Sequence, residues 1–186
     1  MIGDWPAGSG ASNWALSTQR PSPLSGGNAF KATDVATVTD QRLTSPVIAL
    51  PAGQSPITLR YQNWRALEPV AATTTCYDAG ILEIAVDGGA FTQVTGARLI
   101  NDPYVAPVST SWGSPLAGLD GWCGTRAYAD TLIDLSEWAG RSVQLRWRLG
   151  TDQSAAADAW YVDDIRIEGC SSRGEGIFAD GFEVLP

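Results

Sequence analysis

The hydrophobic and polar positions of this chain repeat mostly with a period of two. From Ser142 to Leu149, Val143, Leu145, Trp147 and Leu149 alternate with Ser142, Gln144, Arg146 and Arg148, the signature of a strand with one buried face. ITLRYQNW repeats the pattern, with Ile57, Leu59 and Tyr61 on one face and Thr58, Arg60 and Gln62 on the other. In ILEIAVDGGAFTQV, Leu82, Ile84 and Val86 alternate, Asp87-Gly88-Gly89 supplies a positive-φ turn and Phe91 opens the return strand, which predicts a hairpin. NAFKATD reads as a short strand, and LTSPVIALP as an edge strand interrupted at Pro46, since proline donates nothing to a ladder. The last strand, WYVDDIRIE, puts Tyr161, Ile165 and Ile167 on one face with Asp163 between them. An ionised carboxylate in that position needs a cation, a cage of backbone donors or access to water.

Two stretches lose the period. RALEPVAATTTCYDAG carries Glu68, Cys76 and Asp78, and the segment from Ala97 to Asp130 is irregular, glycine-rich and aromatic, with Tyr104, Trp112 and Trp122. The first is too long for a hairpin, and the second exceeds the usual connection length, which makes it functional, disordered or mis-assigned. Residues 1–27, rich in Gly, Ser, Pro and Asn, read as a linker that docks a single strand, or packs on a neighbouring domain through Trp5 and Trp14. Residues 28–170 form the sandwich and 171–186 a tail containing IFADGFE.

Composition narrows the function classes. Few charged residues, 20 glycines and 11 prolines in 186 residues suit one all-β domain with long loops. The balance of 20 acidic against 12 basic residues, without a basic cluster, argues against a nucleic-acid partner. No apolar run is long enough to span a membrane, and a monomer is expected. The absence of histidine removes the Ser-His-Asp triad and His-ligated zinc. Asp152, Asp158, Asp163 and Asp164 are close in sequence, but nothing sets two of them across a groove as glycoside hydrolysis requires, so no enzyme is expected.

Three groups of residues, Leu145 to Arg148, Gly150 to Asp152 and Trp160 to Asp164, together with the Leu82–Ile84 and Asp87–Gly89 motifs, carry a resemblance to a known family. They resemble the MAM-like jelly-roll modules of secreted bacterial proteins, including the domain after the catalytic unit in immune inhibitor A type metallopeptidases. The resemblance extends over about residues 28–167. It implies a jelly-roll β-sandwich of two antiparallel sheets, in a non-catalytic accessory module that is secreted or at the cell surface. MIGDWPAG has no basic and apolar leader; the resemblance implies a module within a longer exported protein, whose leader would lie upstream. The partner implied is an extracellular polysaccharide or surface polymer, or the catalytic domain of the parent protein.

In such modules a structural calcium is often clamped between an early loop and the last strand, and hard oxygen ligands suit it. The metal candidates are Asp163 and Asp164 with Glu68 and Asp78, and Asn28 as a weaker carbonyl donor; the alternative for Asp163 is a set of loop amides. Tyr104, Trp112 and Trp122, with Asn101, Asp102 and Asp120, are candidates for stacking on sugar rings and binding their hydroxyls; the alternative is that this loop folds back to cover a sheet. Cys76 and Cys123 lie in long loops of a chain whose relatives are exported, which favours a disulfide between them and leaves Cys170 over; the sequence alone leaves other pairings open.

Overall fold

The computed structural model describes residues 14–68 and 74–170, and the backbone of 176–177. Its strands in chain order are β1 (Ala15–Ser17), β2 (Ala29–Thr33), β3 (Thr39–Thr44), β4 (Ile48–Ala49), β5 (Ile57–Ala66), β6 (Ala79–Val86), β7 (Thr92–Gln93), β8 (Ala106–Pro107), β9 (Asp120–Gly121), β10 (Thr125–Asp134), β11 (Ser142–Thr151), β12 (Ala159–Cys170) and β13 (Gly176–Ile177). The larger sheet runs β1-β2-β12-β5-β10, with β13 on β12; the smaller runs β3-β11-β6-β7, with β4 on β11. Every strand pairing in both is antiparallel. The fold is the all-β jelly-roll sandwich expected. β3 and β4 both pair with β11 and are separated at Ser45 and Pro46, where proline breaks the edge.

The two inner faces meet over Trp147, Trp160, Leu59, Tyr61, Leu145 and Leu149, all fully buried. Tyr61 meets Trp147 edge to face at 5.5 Å, and Trp14, from the segment before β1, meets Trp160 at 5.4 Å. Gly80 is there because of Trp160: a Cβ would lie 2.6 Å from its ring. The residues 14–27 thus contribute one core indole and one edge strand to the sandwich.

β12 departs from a simple alternation. Trp160 and Val162, opposite Arg65 and Asn63, turn inward, while Tyr161 and Asp163, opposite Trp64 and Gln62, turn outward. The register then shifts between Asp163 and Arg166, where Asp164 has φ 50, and the extra residue returns Ile165 and Ile167 to the core side. Tyr161 and Asp163 therefore do not share a face with Ile165 and Ile167. Period-two counting fails across a bulge because one inserted residue inverts every later side chain.

Of the stretch expected to be irregular, residues 125–130 instead open β10 at the edge of the larger sheet, and residues 97–124 contain the cover of the smaller sheet. β6 is buried on both faces: Leu82 and Ile84 look into the main core, and Ala79 and Ile81 into a second cluster with Cys76, Val108, Leu116 and Cys123. The β8–β9 pair and the Cys76–Cys123 disulfide, with Cα atoms 5.8 Å apart, hold that cover down. Closing a loop of this length contributes about 4 kcal/mol in the chain-entropy model. Cys170 is exposed and unbridged.

Candidate metal centre

Four acidic side chains gather at one end of the sandwich, each beside the end of a strand. Asp34 follows β2 and Glu68 follows β5 in the larger sheet; Asp78 precedes β6 and Asp152 follows β11 in the smaller. One oxygen from each of Glu68, Asp78 and Asp152 lies within 4.8 Å of the others, about the widest separation two ligands of one calcium can have at bond lengths near 2.4 Å. Asp34 stands within hydrogen-bonding reach of Asp78.

The three aspartates are oriented in the same way. Asp34 Oδ2 accepts the N–H groups of Glu68 and Ala157, at 3.1 and 3.0 Å. Asp78 Oδ1 accepts Asp152 N–H at 2.6 Å, and Asp152 Oδ1 accepts the N–H and hydroxyl of Ser154 at 2.7 and 2.9 Å. The other oxygens, Asp34 Oδ1, Asp78 Oδ2 and Asp152 Oδ2, are buried and meet no N–H or hydroxyl donor among the described residues, and Glu68 Oε2 is the same. Burial, with the Asp34 and Asp152 carboxylates next to it, pushes Asp78 up to about 9. Glu68 is raised for the same reasons, burial first and then Asp152 and Asp34. Unsatisfied buried carboxylate oxygens are costly. A hard divalent cation held by Glu68, Asp78 and Asp152 would satisfy the three oxygens that lie close together, with Asp34 beside Asp78, so the donor set fits calcium.

Asp163 and Asp164 do not belong to this group. Asp163 pairs with Gln62, and Glu68 lies further along and beyond β5, roughly 20 Å away at about 3.3 Å per residue. Asp163 is half-buried on the outer face, where its Oδ2 accepts Ser22 N–H at 3.3 Å and Ser25 hydroxyl at 3.4 Å. Asp164 accepts the Ser22 hydroxyl. Of the four residues expected to bind a metal, then, Glu68 and Asp78 meet, and Asp163 and Asp164 hold the segment around Ser22 instead. Asn28 is exposed. The sequence reading missed Asp34 and Asp152. The available signal was position: KATD and LGTD each end a patterned strand on an aspartate.

The sugar-stacking candidates are also redistributed. Trp122 is fully buried, with its Nε1–H donating to Asp102 carbonyl at 2.9 Å. Tyr104 packs on it at 4.7 Å, with its hydroxyl donating to Val94 carbonyl at 3.0 Å. Both are parts of the cover, so neither offers a ring face to a ligand. Asn101 spends its amide on β10, donating to Asp130 carbonyl and accepting Leu132 N–H. Asp102 is 2 % exposed and accepts Asn63, Thr131, Arg65 and Arg126 in one buried network. Trp112, 45 % exposed, and Asp120 remain on the surface.

Comparison with known proteins places the chain beside a part of larger ones. No protein-family model matches it. It is 29% identical to the Pre-pro-metalloprotease PrtV of Vibrio cholerae serotype O1, in strain M66-2 and in the El Tor Inaba strain N16961, over 128 residues covering 68% of this chain and 12% of the relative. It is 39% identical over 41 residues to Bacillopeptidase F of Bacillus subtilis strain 168, covering 22% of this chain and 3% of the relative. The shared segment is a minor part of each. Among solved structures, TmCBM61 in complex with β-1,4-galactotriose is similar with a TM-score of 0.43 at 13% identity, covering 84% of this chain and 88% of that one. No helix among the described residues is long and apolar enough to cross a membrane.

Proposed function

We propose that this chain is a non-catalytic accessory module of an exported bacterial protein, a β-sandwich clamped by calcium at Asp34, Glu68, Asp78 and Asp152 that binds extracellular polysaccharide or another surface polymer. The observation that carries the clamp is the division of labour within each aspartate, one oxygen fixed by N–H groups and the other buried without a donor among the described residues. Because two ligands come from each sheet, a bound cation ties the sheets together at this end. It supplies charge neutralisation and rigidity, and no chemical step is assigned to it. The setting rests on the likeness to a segment of a metalloprotease.

Polymer contact falls to Trp112, whose loop is fixed at its base by Leu116 against Gly150 and by Ser109 N–H on Cys76 carbonyl. An exposed indole on a rigid loop suits the apolar face of a sugar ring. The alternative, a structural domain docked on the catalytic unit of the same polypeptide, draws on the same likeness.

Thermal unfolding tests the clamp. Free calcium at 100 Kd is expected to add about 2.7 kcal/mol over the chelated protein, and Asp152→Asn or Asp78→Asn to abolish the gain. No response from verified metal-free wild-type protein overturns the clamp. For the polymer, retardation of the chain in polysaccharide-containing gels is expected to be lost in Trp112→Ala; equal migration of the two across a panel of polysaccharides overturns it.

A further inference from the structure

The outer face of the larger sheet holds a site of a different kind. Trp64 on β5 and Tyr161 on β12 are cross-strand neighbours whose rings meet edge to face at 5.4 Å, with Tyr128 of β10 and Ala29 and Ala159 packed beside them. Over this pair lies the guanidinium of Arg20, its Cζ 3.8 Å from the Trp64 ring centre and 5.7 Å from that of Tyr161. Its Nη2 is 3.3 Å from Asp158 Oδ2. Tyr128 hydroxyl donates to the Arg20 carbonyl at 2.7 Å, and Gln19 Oε1 accepts Lys31 Nζ at 2.8 Å. Two and five residues on, Ser22 reaches Asp163 and Asp164, and Ser25 reaches Asp163.

A sheet face bearing two aromatic rings packed edge to face and carboxylates on two sides is a receptor for a flat cation, through cation–π attraction and a charge-assisted hydrogen bond. Among the described residues, the segment that fills it is held by little else. Between Trp14 and Ala29 its large apolar side chains, Leu16 and Leu24, are 60% and 58% exposed, and what attaches residues 18–25 is the Arg20 stack and polar bonds. Such contacts are individually weak and reversible.

We propose that Trp64, Tyr161 and Asp158 form a guanidinium-recognition site for an arginine-bearing extended peptide of a protein partner, and that residues 18–25 are a resident pseudo-ligand that such a peptide displaces. The partner is basic because the receptor is acidic: Asp158, Asp163 and Asp164 rim the face, on a chain of net charge −8. The resident segment competes at the millimolar effective concentration of a short tether, so the site in the intact chain is largely closed. This inference goes beyond the accessory-module reading and needs neither calcium nor Trp112.

The test uses the full chain and the synthetic peptide STQRPSPLS, which copies residues 17–25, with a second peptide in which its arginine is alanine. Titration calorimetry in the presence of chelator and of calcium is expected to give at least tenfold tighter binding of the arginine peptide to Arg20→Ala than to the wild type. The alanine peptide is expected to bind neither, and adding Trp64→Ala to Arg20→Ala to abolish binding. Equal affinity of wild type and Arg20→Ala, or of the two peptides, overturns the proposal. So does binding of a β-linked oligosaccharide by Arg20→Ala without binding of the peptide, which would make the face a sugar platform. Should Arg20→Ala fail to fold, Arg20→Lys keeps the charge and loses the flat stack; a gain in peptide affinity supports the proposal and no gain overturns it.

Discussion

Among the described residues, two of the carboxylate groups in this sandwich answer the cost of burial in opposite ways. On the outer face, Asp163 and Asp164 spend their oxygens on the Ser22 and Ser25 hydroxyls and the Ser22 N–H. At the strand ends, Asp34, Asp78 and Asp152 accept N–H groups with one oxygen and leave the other buried without a donor among the described residues, beside Glu68. Proximity of acidic residues in sequence is therefore a poor guide to a metal. Unspent lone pairs converging on one point are a better one. A third solution sets the scale: Asp102 is buried deeply but is met by Arg65 and Arg126, the closest contact being 2.7 Å to Arg126.

The largest effect is expected from breaking that third arrangement. Asp102→Ala leaves Arg65, itself buried, without its partner, and removing one member of a buried pair costs about 3–5 kcal/mol. Urea unfolding measures it, and a loss under about 1 kcal/mol would mean that water reaches Arg65 and that the network is not dry. Calcium is expected to leave the size of this loss unchanged. The clamp comes next, at about 2.7 kcal/mol for 100 Kd of calcium, and its variants at Asp78 and Asp152 separate it from the outer-face pair.

The sheets and the hairpin were legible in the sequence because each strand carries its own alternation, as in Val143 to Leu149 and Ile57 to Tyr61. The disulfide was legible from the exported setting and two long loops. What could not be read was the bulge at Asp164, since a single inserted residue leaves no trace in composition while inverting the faces around it. That one residue is why period-two counting sets Asp163 on the core face; its grouping with Glu68 and Asp78 rests instead on the family resemblance. The burial of Trp122 and Tyr104 was hidden for another reason: a covering loop and a binding loop have the same aromatic, glycine-rich composition. Only the partners of the Tyr104 hydroxyl and the Trp122 N–H separate the two.

A smaller effect, of defined sign, concerns pH in the metal-free protein. Asp78 is held at about 9 against an ordinary value of 3.8, by burial first and then by Asp34 and Asp152. Between those values the folded chain binds a proton that the unfolded chain has released, so stability falls as pH rises. Unfolding of the chelated protein from pH 5 to pH 8 is expected to show this decline, and calcium, which takes the place of the proton, to remove it. A stability that rises with pH under chelation would mean that the four carboxylates are already ionised and solvated, and the cluster would then resemble the outer-face pair.

The smallest effect is expected at Asp163 itself. Burial raises its pKa, opposed by the N–H of Asp164 and of Ser22 and by the Ser25 hydroxyl. It is half-buried, and Asp163→Asn keeps an acceptor oxygen in place while losing the charge that strengthens those bonds. A loss of about 0.5–1.5 kcal/mol is expected from weakening them, with the calcium response intact. Because the bonds tie down the segment around Ser22, limited proteolysis within residues 18–27 should quicken in the variant even though the sandwich stays folded. If Asp163→Asn instead abolished the calcium response, the two carboxylate groups would be one coupled system, and the distinction between spent and unspent oxygens would fail where it was drawn.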